Sequence, residues 1–318
     1  MSLLQVRNLK TYFPVTGGVF GRIIGNIKAV DEVSLNVEEQ EIVSVVGESG
    51  CGKTTLGLSI LGLVPVTSGE IAFSDDVVDT GKPASWARHR RNYQIIFQDP
   101  FTSLNPRHTI FDILSEPMLL HGICSRRDVR GECVRLMQQV GLSPDYLDRF
   151  PHAFSGGQRQ RIAIARAIGV RPAMIVCDEV VSALDVSVQA QIIQLLLDLK
   201  REMKLSLFFI AHDLSLVKSI SDRIYVMYLG KIVESARPAG LFSAPRHPYT
   251  AALLRSIPTL DRSRKPQILG GEVPSPAKVP PGCVFKGRCP RAQEKCNVSH
   301  PPLERESDRR QVACYYPL

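Results

Sequence analysis

A strand-like run, Ile42-Val43-Ser44-Val45-Val46, ends at a glycine and leads into Gly47-Glu48-Ser49-Gly50-Cys51-Gly52-Lys53-Thr54, after which the apolar spacing turns helical through Leu61. These residues fit G-x-x-x-x-G-K-[ST] between a strand and a helix, the context that gives such a match its meaning. The glycines Gly47, Gly50 and Gly52 let the backbone wrap an anion, and the amides of Ser49 and Cys51 with the helix N-terminus supply partial positive charge. Lys53 adds a full charge, the Thr54 hydroxyl suits Mg²⁺, and Thr55 assists the phosphate contacts. Each part addresses a polyphosphate, and the pattern commits the chain to α/β architecture.

Two further apolar runs end in polar groups. Met174–Cys177 is followed by Asp178-Glu179, and Leu205–Ala211 by His212-Asp213. Runs apolar on both faces suit a parallel sheet covered by helices, and ligands of such sheets gather at the carboxyl ends of the strands. Asp178 is therefore a candidate Mg²⁺ carboxylate, Glu179 a candidate base for an attacking water, and His212 a candidate partner of the terminal phosphate or of the catalytic carboxylate. Helical stretches at Ile110–Leu120 and Val129–Val140 read as an insertion. Residues 3 to 37 read as strands of an antiparallel annex interrupted by a Gly-rich loop, Gly17–Gly25. Ile224–Met227 and Lys231–Glu234 flank Tyr228-Leu229-Gly230 and predict a hairpin.

With 44% apolar and 22% charged residues the 318-residue chain is in the globular range and long enough for a large domain plus an appendage. No apolar run approaches a membrane span, and the start, MSLLQVRNLK, lacks the pattern of a secretory signal, so a cytosolic address is expected. The net charge of +8 is unevenly placed: residues 1–235 carry equal numbers of basic and acidic side chains, so the whole excess lies in residues 236–318. Charge alone leaves nucleic acid, anionic headgroups and an acidic partner all open. The tail also holds Cys283, Cys289, Cys296 and Cys314, and its proline content predicts irregular backbone around a local anchor.

Phe154-Ser155-Gly156-Gly157-Gln158-Arg159-Gln160-Arg161 resembles the signature of ABC-type ATPases, with Phe154 where that pattern usually opens with Leu. Ser155 and two glycines before a periodic apolar stretch also read as a capped helix N-terminus, a second anion site. The resemblance implies that two such subunits sandwich two ATP molecules, each held by the phosphate loop of one chain and by Ser155, Gly156, Gly157 and Gln158 of the other. It further implies Gln98, in Phe97-Gln98-Asp99-Pro100, as a contact to Mg²⁺ and the lytic water. Asp185, in Ser182-Ala183-Leu184-Asp185, becomes part of the dimer-contact loop, His212 the switch histidine, and Phe13 the ring that stacks on adenine. Val180-Val181 stand where the family often has a proline.

Arg246-His247-Pro248-Tyr249-Thr250, Gly271-Glu272-Val273-Pro274-Ser275-Pro276 and the late cysteines resemble the C-terminal extension of ATPase subunits in oligopeptide and dipeptide importers. The insertion Pro14–Lys28 is most similar to the second ATPase subunit of dipeptide importers. The resemblance implies an ABC-type nucleotide-binding domain over residues 1–235, with a helical subdomain at about 100–160, and an extension over 236–318. It implies ATP hydrolysis coupled to peptide import at the cytoplasmic face of the membrane. Partners would be a second ATPase subunit, two permeases and an extracytoplasmic binding protein, with no nucleic acid. The alternative is a soluble ABC-type ATPase acting on nucleic acid or ribosomes, which the basic tail alone supports. The cysteine spacing is unlike paired C-x₂-C zinc sites and leaves Zn²⁺ and a [4Fe–4S] cluster open. Resemblance to the importer tails favours the cluster, with Lys286, Arg288, Arg291 and Lys295 offsetting thiolate charge.

Overall fold

The computed structural model describes residues 2–17, 22–99, 103–256, 274–307 and 310–318. In chain order the strands are β1 Ser2–Gly17, β2 Arg22–Glu38, β3 Ile42–Val46, β4 Ser68–Phe73, β5 Asp76–Val77, β6 Tyr93–Ile96, β7 Met174–Asp178, β8 Ser206–Ala211, β9 Arg223–Tyr228, β10 Lys231–Ala236, β11 Glu304–Ser307 and β12 Arg310–Val312. The helices are α1 Lys53–Ile60, α2 Pro83–Ala87, α3 Ile110–Leu120, α4 Val129–Gln139, α5 Gly156–Gly169, α6 Val186–Met203, α7 Leu214–Ile220, α8 Pro238–Ser243, α9 Pro248–Arg255 and α10 Lys295–Val298. The chain forms two compact units, residues 1–83 with 210–318, and residues 84–209.

In the first unit, β2, β1, β4 and β5 make an antiparallel sheet. Alternation puts Leu4, Val6, Val33, Val37, Ile71 and Phe73 into its core. The described residues of the expected Gly17–Gly25 loop are strand: Val15 pairs Gly25, Thr16 pairs Ile23 and Gly17 pairs Arg22. Cross-strand pairing carries β2 outward although Ile23 and Ile24 are exposed, so no buried face announces it in the sequence. The glycines at 18 and 21 lie outside the described residues.

A second sheet in this unit runs β11, β12, β10, β9, β3, with β3 and β9 parallel and the predicted β9–β10 hairpin in place. The tail was expected to be irregular, yet it adds β12 to β10 and β11 to β12. It also joins the core: Leu241, Tyr249, Cys283, Val284, Phe285 and Cys296 of the tail share a cluster with Val46, Val226 and Tyr228. The strand that launches the phosphate loop and the late cysteines therefore share one buried cluster.

In the second unit β6 and β7 are parallel, with β8 next to β7 in sheet order. Helices α3, α4 and α5 pack on one another, and Leu114, Met118, Cys133, Leu136, Ile164 and Ile168 on them are buried. Thr109 starts α3 with a capping box, its hydroxyl accepting the Asp112 N–H while the Asp112 carboxylate accepts the Thr109 N–H. No described helix is long and apolar enough to cross a membrane.

Candidate functional site

Gly47 through Thr54 connect β3 to α1, as the sequence predicts, with α1 beginning at Lys53. Ser49, Gly50 and Thr54 are exposed, Thr55 half-buried, and Cys51 and Lys53 buried. Gly52 has φ 106°, and a Cβ there would lie 2.0 Å from the Ala29 carbonyl oxygen, so only glycine fits. The Lys53 ammonium donates to the carbonyls of Gly47 at 2.9 Å and Glu48 at 3.0 Å, which holds the charge across the mouth of the loop. Burial pushes the Cys51 thiol above the usual range despite Lys53 nearby, leaving it neutral. Phe13, on β1, is 36% exposed, whereas its neighbour Tyr12 is engaged by the Asp31 carboxylate and by Lys28 over its ring. Of the aromatic pair, Phe13 has the ring face to offer. His212 follows β8 and is exposed, and the next residue, Asp213, caps α7 by accepting the N–H groups of Ser215 and Leu216.

The second unit holds the other candidates. Ser155 is the N-cap of α5: its hydroxyl accepts the Gln158 N–H at 3.3 Å, and the Gln158 side chain accepts the Ser155 N–H at 3.0 Å. This capping box leaves the first-turn amides of Gly156 and Gly157 at the helix start. A Cβ on Gly157 would come within 2.6 Å of Val188 on α6, whereas one on Gly156 meets only Leu184, at 3.4 Å. Packing demands the second glycine and not the first.

Asp178 ends β7 and is buried. Glu179 follows with φ 46°, a left-handed conformation costly for a branched-off carboxylate residue, and the backbone is held there by the N–H and hydroxyl of Ser182, which donate to the Glu179 carbonyl at 3.0 and 2.9 Å. Val180 and Val181, in place of the family's proline, are buried and anchor the turn. Asp185 is the N-cap of α6, and Gln189 ties that helix start to the Leu184 carbonyl at 2.8 Å. Gln98 is exposed just beyond β6.

The four tail cysteines line one cavity together with His247, Lys286, Arg291 and Tyr315. Burial raises the Cys283 thiol to about 11, with the neighbouring Cys296, Cys289 and Cys314 charges pushing the same way, and burial likewise raises Cys289 and Cys314. Among the described residues, however, no group of three or more His, Cys, Asp or Glu side chains is arranged to hold a metal ion. The expected tetrathiolate ligand set is therefore present as a common lining and not as a formed coordination site. Among the described residues no cysteine is in a disulfide.

The Arg288 guanidinium grips Glu48 of the phosphate loop with two bonds, at 2.7 and 3.0 Å. Lys295 lies over the Tyr315 ring, 4.4 Å from its centre, and Arg291 donates to the Pro317 carbonyl. Tyr249, from the stretch that carries the importer resemblance, accepts the Glu48 N–H on its hydroxyl at 2.9 Å. No sequence signal joins these residues to the loop, since their separations from Glu48 are 240 and 201.

Residues 30–182 match the family model described as ABC transporter, and residues 233–296 match that described as oligopeptide/dipeptide transporter, C-terminal region. The chain is 49% identical to the oligopeptide transport ATP-binding protein OppF of Salmonella typhimurium, over 98% of this chain and 95% of that protein. It is 45% identical to the oligopeptide transport ATP-binding protein AppF of Bacillus subtilis, over 99% and 97%. It is also 45% identical to the dipeptide transport ATP-binding protein DppF of Haemophilus influenzae, over 99% and 96%. Among solved structures, the dimeric ATP-binding cassette MJ0796 bound to ADP and Pi is similar with a TM-score of 0.65 at 26% identity, covering 74% of this chain and 98% of that one. With its phosphate loop, its capped Ser155–Gln158 turn and similarity of this extent, the chain belongs to the ABC transporter ATP-binding proteins, in the branch that carries the oligopeptide/dipeptide transporter C-terminal region.

Proposed function

We propose that this chain is the ATP-hydrolysing motor subunit of an importer of dipeptides or longer peptides, working at the cytoplasmic face of the membrane. The observation that carries the reading is that a phosphate loop and a capped Ser155–Gln158 turn occur in one chain that is similar, over nearly its full length, to transport ATP-binding proteins for such peptides. In this reading residues 1–235 are the nucleotide-binding domain, with a helical subdomain at about 100–160, and residues 236–318 are the extension. Partners are a second ATPase subunit, two permeases and, through them, an extracytoplasmic binding protein.

Within the site, Gly47 to Thr55 hold the ATP phosphates and Phe13 stacks on the base. Ser155, Gly156, Gly157 and Gln158 present amides and polar side chains to the nucleotide of the partner subunit, and Asp185 lies at the dimer contact. Thr54, Asp178 and Gln98 would hold Mg²⁺, whose charge offsets that of the phosphate oxygens. Glu179 orients and deprotonates the attacking water, with His212 holding the terminal phosphate. The left-handed backbone at Glu179 supports a role that fixes its carboxylate, because strain of that kind is kept where position matters.

Two arginines of the basic tail are paired within the chain, Arg288 with Glu48 and Arg246 with Glu306 at 2.7 Å, which weakens the case for a nucleic-acid face. The tail thiols suit a [4Fe–4S] cluster, with Zn²⁺ as the alternative, since four of them share one cavity with cationic Lys286 and Arg291 in its wall. Such a group would cross-link Cys283, Cys289, Cys296 and Cys314.

The test of the motor reading is Glu179→Gln in the assembled transporter. ATP binding should persist while hydrolysis falls by about 10²- to 10⁴-fold, the usual contribution of a positioned base. Unchanged turnover would place the base elsewhere.

A further inference from the structure

Glu48, the second residue of the phosphate loop, has each of its three polar groups tied to a different part of the chain. Its N–H donates to the Tyr249 hydroxyl at 2.9 Å, its carbonyl accepts from the Lys53 ammonium at 3.0 Å, and its carboxylate takes both guanidinium nitrogens of Arg288, at 2.7 and 3.0 Å. The Arg288 side chain is 5% exposed and the Glu48 side chain 24%, so the ion pair is screened from water. Arg288 is itself held from behind, with its guanidinium 5.9 Å from the centre of the Tyr228 ring and donating to the Tyr228 hydroxyl at 3.4 Å. Tyr228, Tyr249 and Phe285 pack in tilted and edge-to-face pairs, 4.6 to 5.4 Å between ring centres, and lock both contacts to the core.

We propose that Arg288 and Tyr249 are positioning residues for the phosphate loop: the tail clamps Glu48 and thereby fixes the loop, and Lys53, in the conformation that takes a triphosphate. The inference rests on the reading of Gly47–Thr54 as the ATP site and adds to it a part supplied by the C-terminal extension. A flexible glycine-rich loop loses conformational freedom when it closes on phosphate, and a loop held beforehand loses less. The clamp acts on nucleotide affinity through Glu48 and touches no reacting atom. Because Arg288 precedes Cys289 in the chain, the loop is also one residue removed from the thiol cavity.

The experiment uses the full chain and measures the dissociation constant of a fluorescent ATP analogue alongside thermal melting without nucleotide. Arg288→Gln, Glu48→Gln and Tyr249→Phe should each weaken binding on the order of tenfold, the double variant Arg288→Gln/Glu48→Gln should be no worse than either single, and Arg288→Lys should recover part of the loss. A purely structural arginine would lower melting and leave the affinity of the folded fraction unchanged, and that result would overturn the proposal. So would additive losses in the double variant. Should Arg288→Gln not fold, Glu48→Gln and Tyr249→Phe decide by the same affinity readout. Unmodified protein that bound no ATP analogue would refute the nucleotide site itself, whereas tight binding to the unmodified chain with no change in the variants refutes the clamp alone.

Discussion

At position 247 a histidine takes the N-cap of α9, its Nδ1 accepting the Tyr249 N–H at 3.0 Å, in a setting where the residue is only 1% exposed. Burial, helped by the charge of His300, depresses its pKa to about 3, so the folded chain keeps the ring neutral. The unfolded chain binds that proton near the ordinary value of 6.5. Its contribution to stability is therefore fully present above pH 6.5 and is lost as pH falls through the interval down to about 3, a difference on the order of 5 kcal/mol. His300, lowered to about 4 by burial, acts in the same direction. His247→Asn keeps a side-chain acceptor at the cap and removes the titration, so urea unfolding at pH 7, 5 and 4 should show a flatter loss of stability than the parent. Equal slopes in the two proteins would assign the acid sensitivity to other groups.

Helix α5 separates two demands that the sequence presents as one motif. The Ser155–Gln158 capping box is a local device, legible from a Ser-x-x-Gln spacing because every bond lies within one turn. The glycines differ: Gly157 is required by Val188 across the α5–α6 contact, while among the described residues a Cβ on Gly156 would meet only Leu184, at an ordinary 3.4 Å. Gly157→Ala should lower the melting temperature, with Val188→Ala restoring part of it. Gly156→Ala should leave melting nearly unchanged and yet depress ATP hydrolysis in the assembled transporter at least tenfold, since the approach that needs its bare backbone comes from a nucleotide outside the chain. Full activity in Gly156→Ala would remove this turn from the nucleotide site. The β3–loop–α1 unit was legible for the same reason as the cap, being local and punctuated by glycine. The outward run of β2 was not, because its polar and exposed apolar residues are held by pairing with β1 and not by burial. Short polar β11 and β12, with the sequences ERES and RQV, gave no alternation to read.

Over the whole molecule, what escapes the sequence is long-range, as in the bond from Arg288 to Glu48, 240 residues away. Around the cysteines the core is thin: among the described residues from 274 onward, Val284, Phe285, Cys283 and Cys296 pack onto a cluster that includes Val46, Val226 and Tyr228. A segment so poor in apolar side chains gains stability from a ligand that ties several of its residues together, and four thiols around one cavity provide the points of attachment. Burial raises the Cys283 thiol to about 11 and pushes Cys289 and Cys314 up as well, and a bound cation would favour their thiolate forms. Full-length protein purified without oxygen should accordingly be brown, with about four irons per chain. Cys289→Ser should lose both iron and colour and should melt at lower temperature. Stoichiometric zinc in a colourless protein would replace iron with zinc at the same residues. Metal-free protein whose melting is unaffected by a chelator and by Cys289→Ser would leave the four cysteines as packing residues, and the tail would then owe its order to its apolar packing, its strand pairing and its ion pairs.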